Sequence, residues 1–387
     1  MTGCVEVRNA SVERTINHSF SPLAFFILTE VNAYPMLDLS VQFQQQIRDA
    51  IDNGSPVNLV AGNSKAFYGR CARGEWLAVA GNAGVVDYES TELVMTVRNG
   101  TTLLEIDSIL SEQGQMLGFE PPCYQQSSTI GGAVAAGLSG PRRPFTGAVR
   151  DHILGCRVIN GYAEILLFGG TAMKNVAGYD LSRLLAGSMG TLGLILEVSL
   201  KVVPRPELET TWYQEINADR IFEVMSRLMQ KPLPISGLFY DGERLFYRLY
   251  GAADVIRRLS DSLGGEADSA NDQLWSDLNN QTLAFFQDET PLWRISVAPA
   301  TEHLPLSGEW VMDWGGALRW LKSEEPAQQV FQTVAEAGGH ATLFRGGNRD
   351  ELIFQPLPSD LMQIQHRLKQ AFDPKGIFEP GRMYPEF

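Results

Sequence analysis

The sequence predicts an α+β protein, and three observations lead there. Residues 36–113 set four short apolar runs between two helical stretches. Residues 127–206 form a glycine-dense run in which every cluster of glycines is flanked by an apolar segment of strand or helix length. Beyond Pro204-Arg205-Pro206 the pattern reads β-α-β-β-α. The alternation in the first part suits an α+β or an α/β domain, and the β-α-β-β-α order of the second suggests a ferredoxin-like half-sheet, an α+β arrangement.

Residues 1–35 show no clear periodicity and are expected to be a poorly ordered extension; Met36 is a candidate natural start. Their apolar patch, Pro22–Leu28, is far shorter than the ~20 residues of a spanning helix, and basic residues do not precede it in the way a signal peptide requires. Leu37–Ile51 follows as an amphipathic helix with Leu39, Val41, Phe43, Ile47 and Ile51 apolar. Strands are predicted at Pro56–Val60, Trp76–Ala80, Val85–Tyr88 and Leu93–Val97, then a helix over Leu103–Gln113 stopped by Gly114. Leu194–Val203 reads as a strand entered from the turn Gly187–Gly193.

The second half begins with a strand at Thr211–Ile216, a helix at Asp219–Gln230, and strands at Ile235–Tyr240 and Arg244–Tyr250 joined through Asp241-Gly242, an Asp-Gly hairpin signal. A helix at Ala253–Leu263 completes a ferredoxin-like half-sheet. Further strands are expected at Trp293–Val297, Glu309–Asp313, Ala317–Leu321 and His340–Phe344. Helices are expected at Pro326–Ala337 and Ser359–Ala371, and an irregular tail closes the chain. No internal repeat is visible in the sequence.

At 387 residues the chain has room for two or three domains with substantial cores. Its formal charge of -14 disfavours a non-specific surface for nucleic acid or anionic lipid. The cysteines, Cys4, Cys71, Cys123 and Cys156, are scattered without a C-x-x-C pair, so no iron–sulfur cluster or structural zinc is expected and isolated buried thiols are. The five histidines, His18, His152, His303, His340 and His366, include no pair at ligand spacing, so no metal of the chain's own is expected.

Three elements point to a large, flat, phosphate-bearing cofactor. The loop Ala61-Gly62-Asn63-Ser64-Lys65 leaves a strand and offers successive backbone N–H groups that could cradle a pyrophosphate. It is neither a Walker A loop nor a G-x-G-x-x-G turn, and a Gly-Asn-Ser turn also occurs as plain structure. Ser127–Gly132 runs into the small residues Ala133, Ala135, Ala136 and Gly137, which would admit a ring system or close helix packing. The turn Gly187–Gly193 can present amides to a base or ribityl chain. In the second half Arg294, Arg319 and His340, in LWRIS, GGALRW and GGHAT, are the candidate catalytic residues. Arg319 could clamp an anion or stack at an interface, and His340 could be a base or a satisfied histidine. Arg142 and Arg143 either anchor their loop by an ion pair or face an anion. Lys174 and Asp180 read as structure.

The segments STIGG, GAVRDHILG, KNVAGYDLSRL and GSMGTLGLILEVSLKV resemble the flavin-binding domain of the vanillyl-alcohol-oxidase type, the PCMH fold. More narrowly, SKAFYGR, EPPCY, GPRRPFTGAVRD, PLPISGL, DWGGALRWLKS, GGHAT and PGRMY are similar to the FAD-binding subunits of bacterial glycolate oxidases, over about 36–387. The resemblance implies a PCMH-type FAD-binding domain at 36–207, a smaller ferredoxin-like cap or substrate domain at 208–345, and a C-terminal helix and tail at 346–387 returning to the first. It implies FAD held by Ala61, Gly62, Asn63, Ser64 and Lys65, by Thr129, Ile130, Gly131, Gly132, Gly137 and Ser139, and by Gly193 and Ile195. The family's closing Phe-Asn-Pro-Gly-Arg stands here as Phe378–Arg382 with Glu379 for the asparagine. No histidine lies in the pyrophosphate loop, and neither Cys123 nor His152 sits in a linkage motif, so the FAD is expected to be non-covalent.

Further implications are glycolate oxidation to glyoxylate beside a homologous catalytic flavin subunit and an iron–sulfur subunit. The chain would be cytoplasmic, reaching the inner face of the cytoplasmic membrane only through such a complex. Two rivals are a self-sufficient FAD-dependent 2-hydroxy-acid (D-lactate-like) dehydrogenase and a non-catalytic structural flavoprotein subunit.

Overall fold

The computed structural model describes residues 38–170, 180–268 and 273–387. The expectations for 1–35, for Cys4 and His18, and for Lys174 lie outside the described residues. No helix among those described is long and apolar enough to cross a membrane.

The first element is the helix Ser40–Asn53, which buries Phe43, Ile47 and Ala50 along one face and ends at Gly54, whose φ of 65° provides the left-handed cap. Val41, expected inside, is instead 74% exposed, because it lies off the stripe that Phe43 and Ile47 define. The strands Val57–Val60 and Glu75–Ala78 pair in parallel, so the chain between them must cross over, and that crossover begins with the Ala61–Lys65 loop.

Behind it stands a five-stranded antiparallel sheet in the order Val85–Glu89, Val94–Arg98, Leu194–Lys201, Ile153–Ile159, Ile165–Gly169. Leu194–Lys201, the last of the five along the chain, occupies the centre. The two strands at 153–169 are not apparent in the sequence because glycines interrupt their apolar pattern. The helix Leu103–Glu112, capped by Thr102 Oγ1 accepting from the Glu105 N–H at 3.2 Å, packs Leu103, Ile106 and Leu110 on one face of this sheet. The short helix Ile130–Ala136 adds Ile130, Ala133 and Val134 to the same core.

Residues 208–345 build one eight-stranded antiparallel sheet. Its order is Glu266–Ala267, Leu208–Glu215, Arg244–Gly251, Ile235–Tyr240, Glu309–Asp313, Leu318–Lys322, Leu292–Ser296, His340–Arg345. The first four, with helices Ile221–Met229 and Ala253–Leu263, run β-α-β-β-α-β in the 4-1-3-2 order of a ferredoxin-like sheet. The second four, with helix Ala327–Glu336, show the same order mirrored, 2-3-1-4, lacking only the first helix. The two halves meet through the pair Tyr240–Met312. A repeat invisible in the sequence is thus present in the topology, because pairing order survives the loss of residue-level similarity.

The helices cover one face of this sheet. The other presents Phe239, Phe246, Val311, Leu318, Trp320 and Phe344 to Tyr68, Leu138 and Leu274. The junction is latched by a charged cluster. Arg142 Nε lies 3.1 Å from Glu120 Oε1, Arg248 Nη2 is 2.7 Å from the same oxygen, and Glu209 receives Arg142 and Ser236. Finally, the helix Ser359–Phe372 returns the chain to the first sheet, and Val57 N donates to the Ile377 carbonyl at 2.7 Å.

Of the cysteines, Cys123 and Cys156 are free, and burial pushes the Cys156 thiol up to about 12.

Candidate functional site: a glycine-walled cradle under a cationic roof

The three glycine elements converge. Ser127 Oγ donates to the Gly62 carbonyl at 2.7 Å, and Ser128 Oγ donates to Ser64 Oγ at 2.9 Å. Gly187 N–H donates to the Val134 carbonyl at 3.0 Å and Met189 N–H to Ala135 at 2.8 Å. Contact is close enough to exclude side chains: a Cβ on Gly62 would fall 1.5 Å from the Ser127 carbonyl oxygen, and one on Gly137 2.8 Å from the Gly187 Cα. Thr129 is the N-cap of the helix Ile130–Ala136, its Oγ1 accepting from Gly132 N–H at 3.3 Å, and Gly137 closes it with φ 68°.

These residues fit a dinucleotide. Among the described residues nothing in the chain accepts from the backbone N–H groups of Gly62, Asn63, Ser64 or Lys65, four successive donors of the kind that bind a pyrophosphate. Asn63 adopts φ 53° to aim them. Ser188 Oγ is buried in the Gly187–Gly193 turn with no partner, and a buried hydroxyl left so is costly unless a ligand completes it. Other expected contacts have structural duties. Ser139 Oγ accepts from Val149 N–H at 3.0 Å, and Ile195 is buried in the sheet core. A Cβ on Gly193 would meet the Ile159 carbonyl at 2.4 Å.

Glu379 shows what replaces the family's asparagine. It is buried, and its Oε1 accepts from Leu59 N–H at 2.6 Å at the strand leading into the loop. Burial raises this carboxyl to about 7.

The roof comes from the site-facing side of the eight-stranded sheet. Lys65 Nζ lies 5.7 Å from the Tyr124 ring, and burial lowers it to about 8. Tyr124 packs edge-on to Phe67, and Phe67 and Tyr68 pack on Phe344. Arg294 acts electrostatically on both Tyr68 and Tyr124. Arg294 and Arg143 both lie over the Trp314 indole, at 5.1 and 4.3 Å from its centre. No carboxylate among the described residues lies within ion-pair distance of either. Burial, then their mutual repulsion for Arg143, lowers both. His340 sits on the strand next to Arg294 through the pair Ser296–His340. Its ring reaches solvent, yet partial burial and then the charges of Arg294 and Arg143 hold it below the usual imidazole value.

Two sequence expectations change. Arg319 does not clamp a carboxylate. On the strand Leu318–Lys322 side chains alternate, so Trp320 faces the site with Arg294 while Arg319, opposite Ile295, faces the helices. Its guanidinium donates to the carbonyls of Gly316, Glu302 and Thr301 and stacks under Phe222. It pins the loop that stands where the second half-sheet lacks a helix. Arg142 and Arg143 divide the two roles proposed for them: Arg142 is locked in the junction cluster, and Arg143 faces the site. His152 is structural, its ring nitrogens 3.2 and 3.1 Å from the carbonyls of Lys201 and Thr146. Trp314 has no role assigned from the sequence; DWGG beside a strand is its only signal.

A family model described as an FAD binding domain matches residues 41–169. The chain is 45% identical over 349 residues, 90% of its length and 98% of the relative's, to glycolate oxidase subunit GlcE of Escherichia coli K12. It is 36% identical to glycolate oxidase subunit GlcD of Bacillus subtilis over 35% of this chain and 29% of that protein. With a D-lactate dehydrogenase of Archaeoglobus fulgidus it shares 32% over 73% and 75% of the two chains. Among solved structures, p-cresol methylhydroxylase superposes with a TM-score of 0.65 over 90% of this chain and 88% of that one, at 14% identity. An alkyldihydroxyacetonephosphate synthase reaches 0.61 over 87% and 74%, also at 14%. These two establish the PCMH-type fold alone.

Proposed function

This chain belongs to the family of glycolate oxidase subunit GlcE, FAD-dependent 2-hydroxy-acid oxidoreductase subunits, and from that premise we infer that its own site oxidises glycolate to glyoxylate. The observation that carries this reading is the pair Arg294 and Arg143, two guanidiniums with no carboxylate at ion-pair distance among the described residues, beside His340, whose affinity for protons is lowered. That combination suits a small anion bearing a hydroxyl whose proton must leave.

FAD would be held non-covalently by the N–H groups of Gly62–Lys65, by Thr129–Gly132 and by Ser188, and would supply the acceptor for a hydride from the substrate carbon bearing the hydroxyl. Arg294 binds the carboxylate and orients the carbon–hydrogen bond toward the cradle. His340 takes the hydroxyl proton as a general base, its lowered affinity for protons keeping it unprotonated near neutral pH. One hydride and one proton leave glycolate, and glyoxylate results. Electrons then pass to an iron–sulfur partner subunit, beside a homologous flavin subunit, in a cytoplasmic complex that reaches the membrane only through its partners.

Rapid mixing of the purified, FAD-loaded chain with glycolate tests the reading: bleaching of the flavin absorbance without partner subunits is the expected result. Bleaching seen only when the partner flavin subunit is present would overturn it in favour of the non-catalytic flavoprotein reading. A preference for D-lactate would favour the self-sufficient dehydrogenase.

A further inference from the structure

Arg143 and Arg294 reach the same indole from opposite sides of a junction. Arg143 belongs to the short helix Arg143–Thr146, which follows the second glycine element; Arg294 belongs to the strand next to the edge of the eight-stranded sheet. Like charges brought together need a reason, and among the described residues no carboxylate lies within ion-pair distance of either, Asp151 and Asp313 acting on them only from farther off. What holds them is Trp314. Its backbone sits at φ 54°, a conformation unfavourable for a bulky residue, and Asp313 Oδ1 accepts from its N–H at 2.7 Å to secure that turn. Its indole Nε1 donates to the Gly140 carbonyl at 2.9 Å across the junction. Pinned at both ends and 2% exposed, the indole is a fixed plate. Guanidinium groups stack on such plates with a definite orientation, keeping their N–H forks free for a bidentate partner.

We propose that Arg143 is the second arm of the substrate-carboxylate site and that Trp314 is a positioning residue, the plate that sets the spacing of the two arginine forks across the junction. The inference rests on the functional reading above. It names a small carboxylate as the ligand that closes the junction, since the anion relieves the repulsion between an arginine from each side. Arg143 touches substrate; Trp314 acts through the arginines.

The test uses the full-length, FAD-loaded chain and oxalate, a two-carbon carboxylate that cannot be oxidised by hydride loss, with binding read from the flavin difference spectrum. Arg143→Gln is expected to weaken oxalate about 10-fold or more, and to raise KM for glycolate more than it lowers kcat. Arg143→Lys should recover only part, because an ammonium has no fork. Trp314→Leu should weaken oxalate at least as much with flavin content unchanged, and Trp314→Phe should keep most of the affinity. An oxalate affinity unchanged in Arg143→Gln but lost in Arg294→Gln overturns this inference and leaves the functional reading standing. Affinity unchanged in both overturns the two together. If Trp314→Leu fails to fold or to hold flavin, the Arg143 variants decide.

Discussion

Lys369 Nζ donates to the Thr191 carbonyl at 2.7 Å, joining the C-terminal helix to the glycine turn 178 residues earlier. The same ammonium reaches Asp373 Oδ2 at 2.7 Å and the Phe378 carbonyl at 2.8 Å, and Asp373 in turn accepts from the N–H groups of Ile377 and Phe378. A single buried cation thus organises the tail that carries Glu379. Lys369→Met should cost about 3–5 kcal/mol, the usual penalty for stranding one member of a buried pair. Denaturant unfolding measures it, and the double variant with Asp373→Asn should recover part of the loss.

Gly62→Ala should abolish flavin retention. The new methyl would occupy the position of the Ser127 carbonyl, forcing the loop away from the second glycine element and splaying the four N–H donors. Flavin absorbance after gel filtration measures it. Gly54→Ala serves as the control: the site beside that glycine is open, so only its positive φ is penalised, by roughly 1 kcal/mol, and flavin should remain bound.

Burial raises the Glu379 carboxyl from 4.5 to about 7, which has a definite sign for stability. Between those values the folded protein holds a proton that the unfolded chain has released, so stability falls as pH rises from about 4.5 to about 7. Asp313, raised by burial from 3.8 to about 7, adds in the same direction. Glu379→Gln should therefore flatten the decline of Tm across that window and raise Tm at pH 8. Thermal unfolding at a series of pH values shows it, and an unchanged slope would mean the carboxyl is not buried as described.

His340→Gln should lower kcat by about 10²–10⁴-fold, the usual contribution of a general base, with little change in oxalate affinity. The acid limb of kcat/KM should lie below the ordinary histidine value, since burial and the two arginines oppose protonation, and should vanish in the variant. Arg294→Gln should instead act mainly on KM. Steady-state kinetics from pH 5 to 9 separate the two.

The sequence makes most of the elements readable, with Ile235–Tyr240, Ala253–Leu263 and Glu309–Asp313 at their observed bounds, because each has a clean apolar period ended by Gly, Pro or Asp-Gly. Where glycines break the period, at Ile153–Ile159 and Ile165–Gly169, the strands are hidden. The cradle is readable because glycine reports a backbone requirement directly. The roof is not: Arg294 and Arg319 look alike in sequence, and only strand register, which turns one toward the site and the other toward the helices, tells them apart. Adjacent Arg142 and Arg143 are inseparable for a similar reason, since a helix start directs them to different partners.

Among the described residues one backbone ladder pair, Tyr240–Met312, joins the two halves of the eight-stranded sheet, and side chains such as Arg319 under Phe222 pack across the same seam. One side of that seam is bolted to the cradle by Arg248 and Glu209 through Glu120 and Arg142; the other side bears Arg294, Trp314 and His340. Both sides of the seam are thus tied to the cradle, one by the ionic latch and the other by the Trp314–Gly140 hydrogen bond, while the seam itself is poor in backbone ladder bonds. Amide exchange at Tyr240 and Met312 should accordingly be faster than in the strands on either side, and should slow when oxalate is bound.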